Sequence, residues 1–250
     1  MKLGVFNEFL ALIKSRIPFL KASIKPSSFT NSFLWISKGH SNSSNKTVLE
    51  IENFLKKSFK SNGSDKSTHH QYHIPYAYVF TTFQEKIGIL EIGIGSTDTS
   101  FGHNMSWFKG AKSGGSLKTW ESSGFFNFVA GADIDSKILF TGKLIRTYYC
   151  DQLKLDTLKE LKRNLIRDCS YPGIGMIVDD GLHDLEANLN SLSIFWDILI
   201  PGGWYAIEDL TSTNLFEIFN SIDKNELEEW AIWGNPVTGP NNFLLLLRKK

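Results

Sequence analysis

Cysteine is scarce in this chain of 250 residues: Cys150 and Cys169 are the only two. Their number and spacing supply neither a disulfide framework nor a zinc site. They read as small hydrophobes in a reducing compartment, which places the chain in the cytoplasm. An excess of either charge is missing as well. Lys and Arg number 27 against 26 Asp and Glu, a formal net charge of +1, which makes no electrostatic case for a nucleic-acid partner. No apolar run approaches the roughly 20 residues that cross a bilayer, so no transmembrane segment is expected. No internal repeat is visible. The phosphate-binding pattern G-x-G-x-x-G fails at residue 98, which is Asp, and this counts against an NAD enzyme. What is present is 42% hydrophobic residues, enough for one large α/β domain with an added segment.

The start of the chain places Phe6, Phe9, Leu10, Ile13 and Ile17 at helical spacing before Pro18. Glu8 interrupts the apolar part and no small-residue cleavage site follows, so the stretch reads as an amphipathic helix rather than a signal peptide. It packs on its own protein or on a partner, with membrane-surface binding as the alternative. Residues 22–47 are loop-like, rich in Ser, Asn and Lys around the short apolar piece Phe33-Leu34-Trp35-Ile36. A helix is expected over 47–60, with Val48, Ile51, Phe54, Leu55 and Phe59 on one side, and the polar segment SNGSDKSTHHQYH follows. Residues 1–79 thus form an N-terminal helical and loop segment that covers a site or mediates homo-oligomerisation.

From residue 86 short apolar runs alternate with helical patterns. Strands are expected at 87–92, 127–134, 144–149, 174–179, 203–208, 229–233 and 242–248, with helices near 115–122, 154–167, 184–199 and 211–222. Continuous apolar strands separated by helices predict a seven-stranded, mostly parallel sheet with helices on both faces, a Rossmann-like α/β domain over 80–250. Ligands of such sheets sit outside the carboxyl ends of the strands, where the strand order reverses.

The strand ends carry the chemistry. ILEIGIGS, 89–96, ends in Gly93 and Gly95, which permit a tight turn and close backbone approach; Glu91 beside them would repel a phosphate and suits an uncharged or cationic ligand. VAGADID ends in Asp133 and Asp135. Asp133 is placed to accept ribose hydroxyls, whereas Asp135 suits the cap of the next helix. In CDQL, Asp151 and Gln152 are placed to bond an adenine, with helix capping as the alternative for Asp151. MIVDDGLHD, 176–184, ends an apolar strand in Asp179, Asp180 and His183, and GGWYAIEDL, 202–210, ends another in Glu208 and Asp209. Each has a plainer reading: Asp179 bonding loop amides, Asp184 capping the following helix, Asp209 capping the helix at 211–222, His183 bonding a backbone carbonyl.

Taken in order, SDKSTHHQY, LEIGIG, GGSLKTW, GADID, CDQL, IVDDGLH and PGGWYAIEDL resemble the class I S-adenosylmethionine-dependent methyltransferases. More narrowly they resemble the macrocin and mycinamicin sugar O-methyltransferases, over about residues 60–210. The resemblance implies a strand order 3-2-1-4-5-7-6 with the last strand antiparallel. It also implies O-methylation of a sugar hydroxyl on a glycan or glycosylated small molecule. A non-sugar acceptor and a non-catalytic nucleoside-binding module are the alternatives. By that likeness Glu91, Gly93, Gly95, Ser116, Asp133, Asp151, Gln152 and Asp179 surround S-adenosylmethionine. Asp180, Glu208 and Asp209 hold Mg2+ or Mn2+, and His183 is the base. Acid oxygens at neighbouring strand ends suit a hard cation, and a histidine can accept a proton near neutral pH. Asp65, Lys66 and His70 would touch the cofactor from a gating segment. The stretch 96–113 is longer than the family pattern; His103 and Trp107 within it would line an acceptor pocket or remain solvated.

Overall fold

The computed structural model describes residues 34–38, 45–68, 70–170, 172–234 and 242–250. The expected helix before Pro18, most of the Ser-rich stretch and His69 lie outside them. In chain order the elements are β1 (Leu34–Lys38), α1 (Asn45–Asn62), α2 (His73–Phe80), β2 (Ile87–Ile92), α3 (Gly115–Ser122), β3 (Phe126–Asp133) and β4 (Ile145–Tyr149). There follow α4 (Leu155–Asp168), β5 (Ile174–Asp179), α5 (Leu185–Phe195), β6 (Leu199–Leu210), α6 (Ser212–Ser221), β7 (Leu227–Gly234) and β8 (Phe243–Lys249). The strands form one sheet in the order β1-β7-β8-β6-β5-β2-β3-β4. Strands β2 to β6 run parallel, and β8 is antiparallel to both β6 and β7. Counted from β2, this is the expected order 3-2-1-4-5-7-6. The apolar piece at residues 33–36 is not merely a loop: β1 adds an eighth strand, antiparallel to β7.

Every residue of β2 and β5 is buried, which is why IGILEI and IGMIVD read as continuous rather than alternating apolar runs. One face is covered by α1, α2 and α3 through Leu55, Phe59, Tyr76, Phe80, Leu117 and Trp120. The other is covered by α4, α5 and α6 through Leu158, Leu161, Leu165, Phe195, Leu215 and Phe219. The α4 leucines recur at helical spacing and lie on its buried side. Asp184 caps α5 by accepting from the Glu186 and Ala187 amides, as expected. Thr211, not Asp209, caps α6. Among the described residues no helix is long and apolar enough to cross a membrane.

Helix α2 lies where the sequence pattern predicts only the end of a polar segment. Six of its eight residues are buried, so it has no polar side and no amphipathic period to detect. The polar stretch before it is also structured, with a 3-10 turn at Asp65–Ser67 whose three residues are all buried.

Candidate functional site

The parallel strands deliver their carboxyl ends to one edge, and the chain reverses its direction of winding between β2 and β5. The two strand ends are tied there, with the Asp180 amide donating to the Ile92 carbonyl at 2.9 Å. Gly93 and Gly95 have φ of 84° and 85°, left-handed values that glycine adopts without a Cβ clash. At Gly93 the need is sharper, because a Cβ would fall 2.0 Å from the Asp180 carbonyl oxygen. A cavity of about 590 Å³ opens over this turn, within the range of small-molecule sites. Its wall includes Glu91, Gly93, Gly95, Ser116, Asp133, Asp151, Gln152, Asp180, His183, Glu208 and Asp209. Of the residues expected around the cofactor, Asp179 is absent from that wall; of the gating residues, Asp65 and His70 are on it and Lys66 is not.

Several of these residues also hold the site together. Asp133 accepts from the Ile94 amide at 2.8 Å and from the Asp135 amide at 2.9 Å, so its carboxylate braces the glycine turn. Asp135 caps the short turn that follows, as its plainer reading has it. Asp151 accepts from the Leu153 amide at 3.1 Å and pairs with Lys154 at 2.9 Å. The Gln152 side chain donates to Asp179 at 2.7 Å and to Ser191 at 2.9 Å, and accepts from the Leu182 amide at 2.8 Å. It thereby fixes the loop that carries His183. Asp179 is wholly buried, and burial pushes its carboxyl up to about 6.

The acids meet two cations from the chain before β2. Lys66, 2% exposed, donates to Asp180 at 2.5 Å and to Glu208 at 2.6 Å, and stands 3.2 Å from Glu91. These contacts cross 114 and 142 residues of chain to Asp180 and Glu208. Burial works against the ammonium, but Asp180, Glu208 and Glu91 outweigh it and raise Lys66 well above its ordinary value. Glu91 also accepts from the Trp120 indole at 2.6 Å. Glu208 accepts from the Tyr76 hydroxyl on its other oxygen; burial, then Asp180, push its carboxyl up against the pull of Lys66. His70 lies 3.1 Å from Asp209 and 3.3 Å from Asp65. Burial opposes its charge, yet those two acids push its imidazole up to about 11, and it stands as a cation. Asp209 also accepts from Tyr72 at 2.5 Å. Burial would raise its carboxyl, but His70, His183 and Tyr72 hold it well below the usual carboxylate range.

Asp180, His183 and Asp209 converge so that one ligand atom from each lies within 4.8 Å of the others. His183 and Asp209 have φ of 56° and 53°, values that side-chain-bearing residues rarely adopt and that concentrate at functional sites. The His183 Nε2 is 3.9 Å from Asp180 Oδ1, and its ring meets that of His103 at 5.3 Å. His103 and Trp107, from the stretch 96–113, both line the cavity. Sequence patterns missed Tyr72 and Tyr76. They stand four residues apart and share a side of the segment once α2 is recognised as a helix, but α2 itself has no readable period.

No protein-family model matches the chain. Among curated proteins it is 30% identical over 152 residues to 8-demethyl-8-alpha-L-rhamnosyl tetracenomycin-C 2'-O-methyltransferase of Streptomyces olivaceus, covering 60% of this chain and 36% of that protein. It is 31% identical over 126 residues to demethylmacrocin O-methyltransferase of Streptomyces fradiae, covering 50% and 28%. Among solved structures, the mycinamicin-pathway methyltransferase MycE, in complex with Mg, SAH and mycinamicin VI, superposes with a TM-score of 0.55 at 21% identity. That match covers 78% of this chain and 53% of MycE. The chain resembles the sugar O-methyltransferases. Its fold is the Rossmann-like fold of class I methyltransferases. The alignments span only about a third of each curated relative named here.

The residues present fit both groups that this likeness brings with it. A methyl sulfonium is cationic, and seven acidic residues (Asp65, Glu91, Asp133, Asp151, Asp180, Glu208 and Asp209) line the cavity against His70 and Lys112 on its wall, with Lys66 paired to three of them from behind. The surplus of acids suits a cationic ligand and a divalent ion together. The open backbone at Gly93 and Gly95 allows a ligand to approach the strand end.

Proposed function

We propose that this chain is an S-adenosylmethionine-dependent O-methyltransferase, metal-assisted, that acts on a sugar hydroxyl of a glycan or glycosylated small molecule. The observation that carries the reading is the meeting of Asp180, His183 and Asp209 within 4.8 Å, beside the glycine turn at the switch point of the sheet. The relatives' names support the acceptor class: all three are O-methyltransferases, and one is named for a rhamnosyl tetracenomycin.

His183 is the group that takes the proton from the acceptor hydroxyl, and Asp180 beside its Nε2 stabilises the imidazolium that forms. Gly93, Gly95, Ser116, Glu91, Asp133 and Gln152 form the wall along which the methyl donor would lie, with Asp133 also bracing the glycine turn and Gln152 the loop that carries His183. S-adenosylmethionine supplies an electrophilic methyl group. Asp180 and Asp209, with Glu208 as the third acid of the family pattern, would hold magnesium or manganese, which supplies Lewis-acid polarisation of a hydroxyl. The segment from Asp65 to Tyr76 closes the acid side of the cavity and keeps water from the reacting atoms. Residence in the cytoplasm and self-association through the segment before residue 80 belong to the same reading.

The test is incubation of the purified protein with S-adenosylmethionine, magnesium and a rhamnosyl or related glycoside, read by mass spectrometry. The expected result is a gain of one methyl group in place of one hydrogen, abolished by EDTA and restored by magnesium. Methyl transfer to a phenol or amine with no transfer to any glycoside would overturn the sugar assignment.

A further inference from the structure

The stretch 96–113, longer than the family pattern, is pinned at both ends to the glycine turn. The Met105 amide donates to the Ser96 carbonyl at 2.7 Å, the Ser113 hydroxyl to the Gly95 carbonyl at 2.8 Å, and the Gly114 amide to the Ile94 carbonyl at 2.7 Å. Met105 also packs on the turn, since a Cβ at Gly95 would meet its Cγ at 3.4 Å. Within the stretch, the Asn104 side chain donates to the Phe101 carbonyl at 2.7 Å and accepts from the Ser106 amide at 3.0 Å. These bonds give the excursion one shape, and that shape brings Phe101, His103, Met105 and Trp107 to the cavity wall. The His103 ring meets that of His183, the proposed base, at 5.3 Å and 64°. Farther along, Trp107 is 57% exposed and is backed by Phe108, which is off the wall, with ring centroids 5.8 Å apart. An indole left in water at a cavity wall gains most when a ligand covers it.

The acids of the site come from the strand ends and from the chain before β2, whereas this stretch adds aromatic rings and a thioether. A hydroxyl within reach of His183 puts the rest of its sugar against that second surface. The C–H bonds of a sugar ring are apolar and slightly positive, which suits the negative face of an indole. We propose that residues 96–113 form the acceptor-recognition wall and that Trp107 is its specificity-determining residue, the platform for the C–H face of a terminal sugar. The inference rests on the sugar reading above. The exposure of Trp107 leaves the molecule that carries the sugar outside the cavity, which is why the acceptor sugar is a terminal one. The tip of the stretch reads the acceptor, while its root at Ser96 and Met105 adjoins the donor.

The experiment uses the full chain with methyl α-L-rhamnoside as the probe sugar. Trp107→Ala is expected to raise the KM for the rhamnoside by roughly three- to tenfold, the worth of one aromatic contact. The kcat is expected to hold, the mark of binding lost equally from ground and transition states. Trp107→Phe, which keeps an aromatic face, is expected to recover most of the loss. The Kd of SAH, read by calorimetry, is expected to stay unchanged in both variants, because the ring touches the acceptor and not the donor. Saturation-transfer NMR on the SAH-loaded protein reads sugar binding without turnover. Irradiation of aromatic protons is expected to label the ring C–H protons of the rhamnoside, and Trp107→Ala to weaken that signal. If the rhamnoside is methylated and Trp107→Ala leaves its KM unchanged, or if the SAH Kd rises as much as the KM, the proposal is overturned while the methyltransferase reading stands. If the unaltered protein neither binds nor methylates the rhamnoside or a related glycoside, the sugar reading falls, and the proposal falls with it.

Discussion

At the scale of single residues, two positions bear on the site in opposite ways. Gly93 is a matter of space. Its left-handed backbone and the 2.0 Å approach of the Asp180 carbonyl leave no room for a methyl group. Gly93→Ala is expected to destabilise the protein by at least about 1–3 kcal/mol, read as a lower urea midpoint, and to abolish SAH binding by calorimetry. His183 is a matter of chemistry. His183→Ala is expected to lower kcat by roughly 10²–10⁴-fold while SAH binds as before. Equal loss of binding and turnover would mean that the ring supports the loop rather than moves a proton. Both residues were legible in the sequence, because a glycine turn and an acid–glycine–histidine run at strand ends are local signals. The partners of Glu208 were not, since no local pattern reveals that a lysine and a tyrosine far upstream reach it.

At the scale of elements, the parallel strands and their helices could be read because each has a period or a continuous apolar run. Helix α2 could not, because it is buried on nearly every side and so lacks the polar face that makes a helix visible. Strand β1 was hidden by brevity, five residues in Ser-rich surroundings. The first residue of α2 gives the protein an acid sensitivity. His73 is 2% exposed, and burial, then the nearby Lys56 charge, lower its imidazole from 6.5 to about 4. The unfolded chain therefore binds a proton that the folded chain refuses between those values. Stability is full above about pH 6.5 and falls as the pH drops towards 4, by roughly 2–3 kcal/mol once the loss is complete. Denaturant titrations across that range are expected to show this slope, and His73→Gln, which carries no charge, is expected to flatten it.

At the scale of the molecule, a sheet covered on both faces carries a site drawn from five strand ends and from the chain before β2. A ligand seated there holds many segments at once. Saturating SAH at about 100 times its Kd is expected to stabilise the fold by about 2.7 kcal/mol. At this chain length that is a rise of roughly 5–10 °C in Tm, read by differential scanning calorimetry. No rise would mean that the cavity over Gly93 is not a nucleoside site. The architecture was legible as a whole because alternating strands and helices permit few topologies; the charge pairing at its centre was not, because it depends on the finished arrangement.

The long reach of Lys66 to Asp180 and Glu208 also has a temporal side. A ribosome makes the lysine first and the two acids 114 and 142 residues later, at roughly 5–20 residues per second. For several seconds the nascent polypeptide carries an ammonium without its counter-ions, and that side chain has every reason to stay in water. Lys66 can seat itself only after β6 has been translated and has joined the sheet, so the acid-lined cavity is among the last parts of the newborn protein to close.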